Sequence, residues 1–138
     1  MNRDRPRWAW LFFLQLAVVI GASVLATTGH FPSALFQRAP FDKVGHLAAY
    51  GGLAFLGVAF FGRTRSTAVI VSLLVASTLE EVSQRAFRTR TFDLGDLAMN
   101  LIGIATFGAT AASILARGHR RRRPSAPIGP RHGRTSRR

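Results

Sequence analysis

The residues with chemistry to offer fall in three short runs: Asp42, Lys43, His46 and Tyr50; then Glu80, Glu81 and Gln84; then Arg90, Asp93, Asp96 and Asn100. An imidazole titrates near neutrality and a carboxylate beside it fixes its orientation, so His46 with Asp42 or Glu81 is a workable general acid/base set. Lys43 and Arg90 are suited to hold an anionic group, the planar guanidinium through two parallel hydrogen bonds to a phosphate or carboxylate. Tyr50, Gln84, Asp93, Asp96 and Asn100 supply further donors and acceptors with which to bind and position a substrate.

Helical spacing decides whether these groups can meet. Asp42, His46 and Tyr50 follow i, i+4, i+8 and line one stripe, with Tyr50 about 12 Å deeper than Asp42 at 1.5 Å per residue. Glu81 and Gln84 are i, i+3, while Glu80 and Gln84 are i, i+4, so both glutamates are candidate members of the group. Asp93, Asp96 and Asn100 follow i, i+3, i+7. Three uses are open: a network that only clamps helices together, a catalytic or binding site, or a divalent-metal site from His46 with Asp42, Glu81 or Asp96. Familiar metal spacings such as HExxH are absent and Arg90 competes for the same carboxylates, so the expectation is no metal and no cofactor.

The elements that must position these residues are apolar. The chain has 138 residues, no cysteine and a formal charge of +13. Disulfides, thiolate metal sites and cysteine nucleophiles are therefore excluded. Apolar residues concentrate in segments 8–28, 44–62, 66–84 and 97–116. Each is close to the roughly 20 residues that span a bilayer core. What remains is too short for a separate soluble domain of usual size. The first run, Trp8 to Thr28, exceeds the 7–15 residues of a signal-peptide core and reads as an uncleaved helix. With Gln15 as its one sizeable polar residue, it reads as a lipid-facing anchor. The predicted fold is an all-α membrane protein with four transmembrane helices in residues 1–116, followed by a disordered Arg-rich tail, 117–138.

Four spans put both termini on one side. Fourteen of the nineteen cations then lie with the termini and the 63–65 turn, against five with the 29–43 and 85–96 loops. The positive-inside rule makes both termini cytoplasmic, with Trp8 and Trp10 at the inner interface. Asp4 is the one acid on that side; Asp42, Glu80, Glu81, Asp93 and Asp96 fall at the outer ends of helices two to four and balance the five outer cations. The whole excess charge thus orients the chain in a cytoplasmic membrane. The tail should associate with anionic inner-leaflet lipid. Nucleic acid is not an expected partner, because no aromatic residue follows Phe107 to stack on a base.

Two stretches, DKVGHLAAYGGL at 42–53 and EVSQRAFRTRTFDLGDLAMNLIG at 81–103, resemble the VanZ-like family of small polytopic bacterial membrane proteins, whose namesake is associated with reduced susceptibility to teicoplanin. The resemblance covers helices two to four. It places the family's Asp-Lys pair on Asp42 and Lys43, its histidine on His46, its tyrosine on Tyr50 and its Glu-x-x-Gln on Glu81 and Gln84. The loop arginine falls on Arg90, and the Asp-x-x-Asp with following Asn and Gly on Asp93, Asp96, Asn100 and Gly103. Glu80 stands at a more variable position, and the Pro-Gly that often precedes the arginine is missing. The resemblance implies a role at the cell envelope, with a lipid-linked or peptidoglycan-related ligand at the outer face, and brings no reaction with it. The competing expectation is a non-catalytic scaffold or accessory protein.

Overall fold

A computed structural model describes residues 5–30, 41–86 and 92–121. Within them the chain forms four helices: α1 (Arg5–Thr27), α2 (Phe41–Phe61), α3 (Ser66–Ser83) and α4 (Leu94–Arg121), with 3₁₀ turns at Arg63–Arg65 and Gln84–Ala86. All four contain spans long and apolar enough to cross a membrane. The architecture is that of a multi-pass, all-helical membrane protein.

α2 and α4 begin before their apolar segments because their first turns are polar. Asp93 caps α4: its Oδ1 accepts from the Gly95 amide at 2.6 Å, and its carbonyl accepts from Asp96 and Leu97. The helix therefore begins at Leu94 instead of 97. Asp42 sits in the first turn of α2, where a carboxylate favours the positive end of the helix dipole, and that helix begins at Phe41 instead of 44. At its other end α4 runs on to Arg121, so the expected tail from 117 is helical in its first five residues. The rest of the tail lies outside the described residues. α1 closes at Gly29, φ 74°, with the paired bonds Gly29 N to Ala26 O and His30 N to Leu25 O that satisfy its last carbonyls.

α2 is the hub, touching α1, α3 and α4, with its most extensive contact along α4. Close approach there depends on Gly103: a Cβ at this position would stand 2.6 Å from the Leu47 carbonyl oxygen. Below the polar residues the core is Tyr50, Leu53, Ala54 and Ile104, with Phe12, Leu16, Val19, Ile70 and Leu74 packed against it. Farther along, Phe12, Phe13, Phe60 and Phe61 stack between α1 and α2.

The distribution of polarity is inverted relative to a water-soluble domain. Trp10, Leu14, Val18, Leu79 and Ile114 are exposed, whereas Ser77, Glu81, Gln84, Asp96 and Asn100 are buried. An apolar exterior around a polar interior is what hydrocarbon demands, since charge and hydrogen-bonding groups are stable only where they face each other.

Candidate functional site

The end of α1, the start of α2, the end of α3 and the start of α4 all lie at one end of the bundle. There the structure brings together Asp42, Lys43, His46, Tyr50, Glu81, Gln84, Asp93, Asp96 and Asn100. Arg90, the tenth residue of the expected set, falls outside the described residues.

Two groups result. The first is built on the adjacent glutamates of α3. Glu80 accepts from Ser23 Oγ of α1 and from the Tyr50 hydroxyl of α2, both at 2.8 Å. Glu81, wholly buried, accepts from Gln84 Nε2 at 2.9 Å and from the Asp93 amide at 3.0 Å. Four carboxylate oxygens thus take hydrogen bonds from α1, α2, the turn after α3 and the threshold of α4. Arg85 lies over the Phe92 ring at 4.3 Å and closes the same turn.

These bonds correct two expectations. Glu81 was a candidate partner for His46, but both its oxygens are engaged by Gln84 and Asp93; a buried carboxylate needs donors on each oxygen and takes those nearest along the chain. And α1 is more than a lipid-facing anchor, since Ser23 bonds Glu80, and Gln15 Nε2 donates to the Ala49 carbonyl at 3.4 Å. Ser23 is not among the sequence candidates, whereas Glu80, a candidate by its spacing from Gln84, proves to be the residue that α1 and α2 both reach. Ser23 follows Gln15 by two helical turns, and that spacing was the available signal.

The second group lies between α2 and α4. The Lys43 ammonium donates to Asp93 Oδ2 at 2.6 Å and to Asp96 Oδ1, and stands 3.8 Å from Asp42 Oδ2. Hydrogen bonding to Lys43 holds the exposed Asp93 carboxyl below the usual carboxylate range. Lys43, expected to hold an anionic ligand, is instead the internal counter-ion of the cluster. That is the less costly arrangement for an ammonium entering a membrane among carboxylates.

His46 is held by its other edge. Nδ1 pairs with Asn100 Oδ1, an acceptor, at 3.1 Å, and Nε2 has no hydrogen bond among the described residues. Nε2 points at Asp42 Oδ1, 3.8 Å away, and Asp96 Oδ2, 3.6 Å away. Both are beyond hydrogen-bonding range. These three atoms lie within 4.8 Å of one another, close enough to share a metal ion. Asn100 is completely buried and its Nδ2 has no hydrogen-bond partner among the described residues.

No family model, curated protein or solved structure matches the chain. The resemblance to the VanZ-like family rests on its motif residues alone.

Proposed function

We propose that this is a VanZ-like protein of the bacterial inner membrane, with both termini in the cytoplasm, whose Asp42–His46–Asp96 group faces outward and binds or modifies a lipid-linked or peptidoglycan-related envelope component. The observation that carries the reading is the free Nε2 of His46 aimed between two carboxylates, at the end of the bundle bearing five of the six acids. A group used only to hold helices has no need of an imidazole oriented by a buried amide and left, among the described residues, without a hydrogen bond at its other nitrogen. In this reading His46 is the acid/base candidate with Asp42 and Asp96 beside it, Asn100 orients the ring, and Arg90 takes the anionic group of the ligand. The expected consequence for the cell is altered glycopeptide susceptibility, teicoplanin included.

A second reading is favoured by the glutamate group. Four satisfied carboxylate oxygens tie all four helices, which is what a non-catalytic scaffold requires. Single alanine substitutions at His46, Asp96, Arg90 and Glu81, scored for membrane abundance and teicoplanin susceptibility, separate the two. Normal abundance with lost phenotype at His46 supports the site. Loss of the protein in every variant supports the scaffold. Orientation has its own test, since a chain with no cysteine is a ready background for labelling. A cysteine placed at Ser125 should resist an impermeant thiol reagent in intact cells; labelling there would overturn the outward placement.

A further inference from the structure

We infer that Asp42, His46 and Asp96 form a binding site for a divalent transition-metal ion, with zinc the best match, and that Asn100 orients its histidine. The inference does not depend on which envelope component the protein serves.

Four observations point the same way. The donor atoms converge: Nε2 of His46 lies 3.8 Å from Asp42 Oδ1 and 3.6 Å from Asp96 Oδ2. Ligands about 2.1 Å from a tetrahedral ion are about 3.4 Å apart, so a small contraction around an ion closes the site. The second observation is the contact at the other ring nitrogen. Metal-binding imidazoles characteristically donate their remaining N–H to an oxygen that fixes the ring, and His46 Nδ1–H is so engaged by Asn100 Oδ1.

The third concerns how the carboxylates divide their oxygens. Asp96 gives Oδ1 to Lys43 and turns Oδ2 toward His46, while Asp42 has Oδ2 toward Lys43 and Oδ1 toward His46. Lys43 therefore holds Asp96 by a hydrogen bond and lies on the same side of Asp42, and the opposite oxygens of both carboxylates face the imidazole. Fourth is the charge. Among the described residues, three carboxylates surround the Lys43 ammonium, a formal excess of two negative charges beside a membrane that a divalent cation would match. One imidazole with two carboxylates suits zinc or manganese better than calcium or magnesium, which prefer all-oxygen shells. Three protein ligands also leave a coordination position for water or an oxygen of a ligand.

The site is built from i, i+4 pairs on two different helices, Asp42 with His46 and Asp96 with Asn100, which is why no single-helix metal motif announces it.

The test uses the full chain purified in detergent and stripped of metal, then equilibrated with zinc alone or manganese alone. Bound metal is measured after desalting, and manganese also by its electron paramagnetic resonance signal. The expected result is about one ion per chain, with an unfolding midpoint that rises with metal concentration. His46→Ala should abolish uptake while retaining wild-type helicity. Asn100→Ala, which touches no metal, should weaken affinity about 10- to 100-fold. Replacing the tail histidines, His119→Ala with His132→Ala, should leave uptake unchanged. A wild-type chain that takes up no stoichiometric metal would overturn the proposal. So would His46→Ala protein that binds as the wild type does, or uptake that disappears with the tail histidines.

Discussion

The glutamate group on α3 and the histidine group between α2 and α4 occupy the same end of the bundle and draw on similar residues, yet they use their atoms in opposite ways. Every carboxylate oxygen of Glu80 and Glu81 accepts a hydrogen bond, and the donors come from all parts of the fold. In the histidine group Lys43 and Asn100 hold the outer edges, while Nε2 and two carboxylate oxygens face one another without bonding. Burial alone does not separate them, since Glu81 and Asn100 are both completely buried. Satisfaction does. The first group has spent its hydrogen-bonding capacity on the fold, and the second has kept some of it back.

Stability should therefore divide between them. Glu81→Ala leaves Gln84 Nε2 and the Asp93 amide without their acceptor in a buried place, and should lower the unfolding free energy by about 3 kcal/mol. His46→Ala in metal-free protein should cost about 1 kcal/mol, because its site is partly open and water can reach the Asn100 oxygen left behind. Thermal or detergent-induced unfolding of the purified chain measures both. Equal losses would break the distinction and make the histidine group a second clamp.

A double-mutant cycle on Tyr50→Phe and Glu80→Gln sharpens the same point at smaller scale. The hydroxyl-to-carboxylate bond joins α2 to α3 at 2.8 Å, and the pair should show a coupling of about 1 kcal/mol. Ser23→Ala should couple to Glu80→Gln in the same sense, since α1 reaches that carboxylate through Ser23. Additive Ser23 and Glu80 effects would return α1 to the role of a passive anchor.

How far the sequence made this visible follows from what spacing encodes. Periodicity placed Asp42 and His46 on one face of α2, and Asp96 with Asn100 on one face of α4, because a helix fixes which of its own residues are neighbours. It does not fix partners across helices. That Lys43 selects Asp93 and Asp96, or that Glu81 serves Gln84 and the Asp93 amide, depends on the rotation of each helix about its axis, which close packing such as the approach of Gly103 to the Leu47 backbone settles. Hydropathy located the four spans but shortened α2 and α4, since Asp42 and Asp93 are polar for the same reason that they start helices well. Ser23 carries only a weak signal, because one hydroxyl in an apolar helix usually bonds its own backbone, as Thr27 does to the Ser23 carbonyl.

The smallest expected effect lies at Asp93, which belongs to both groups: its amide serves Glu81, its Oδ1 caps α4 and its Oδ2 meets Lys43. Its carboxyl is held below the usual range, chiefly by the hydrogen bond from Lys43, with the Gly95 amide second. A folded-state value below the unfolded one means that the ionised form binds its surroundings better when folded. The contribution is therefore complete above the unfolded value, about pH 4, and is lost as pH falls through the folded one. Asp93→Asn isolates this contribution, because asparagine caps a helix about as well as aspartate and only the charge is removed. The variant should unfold slightly more easily than the wild type at neutral pH, with the difference shrinking to nothing in acid. Adding Lys43→Met should abolish the difference at every pH. If Asp93→Asn instead remains weaker by the same margin in acid, the cap and not the ion pair is what Asp93 contributes, and Lys43 would then belong functionally to Asp96 alone.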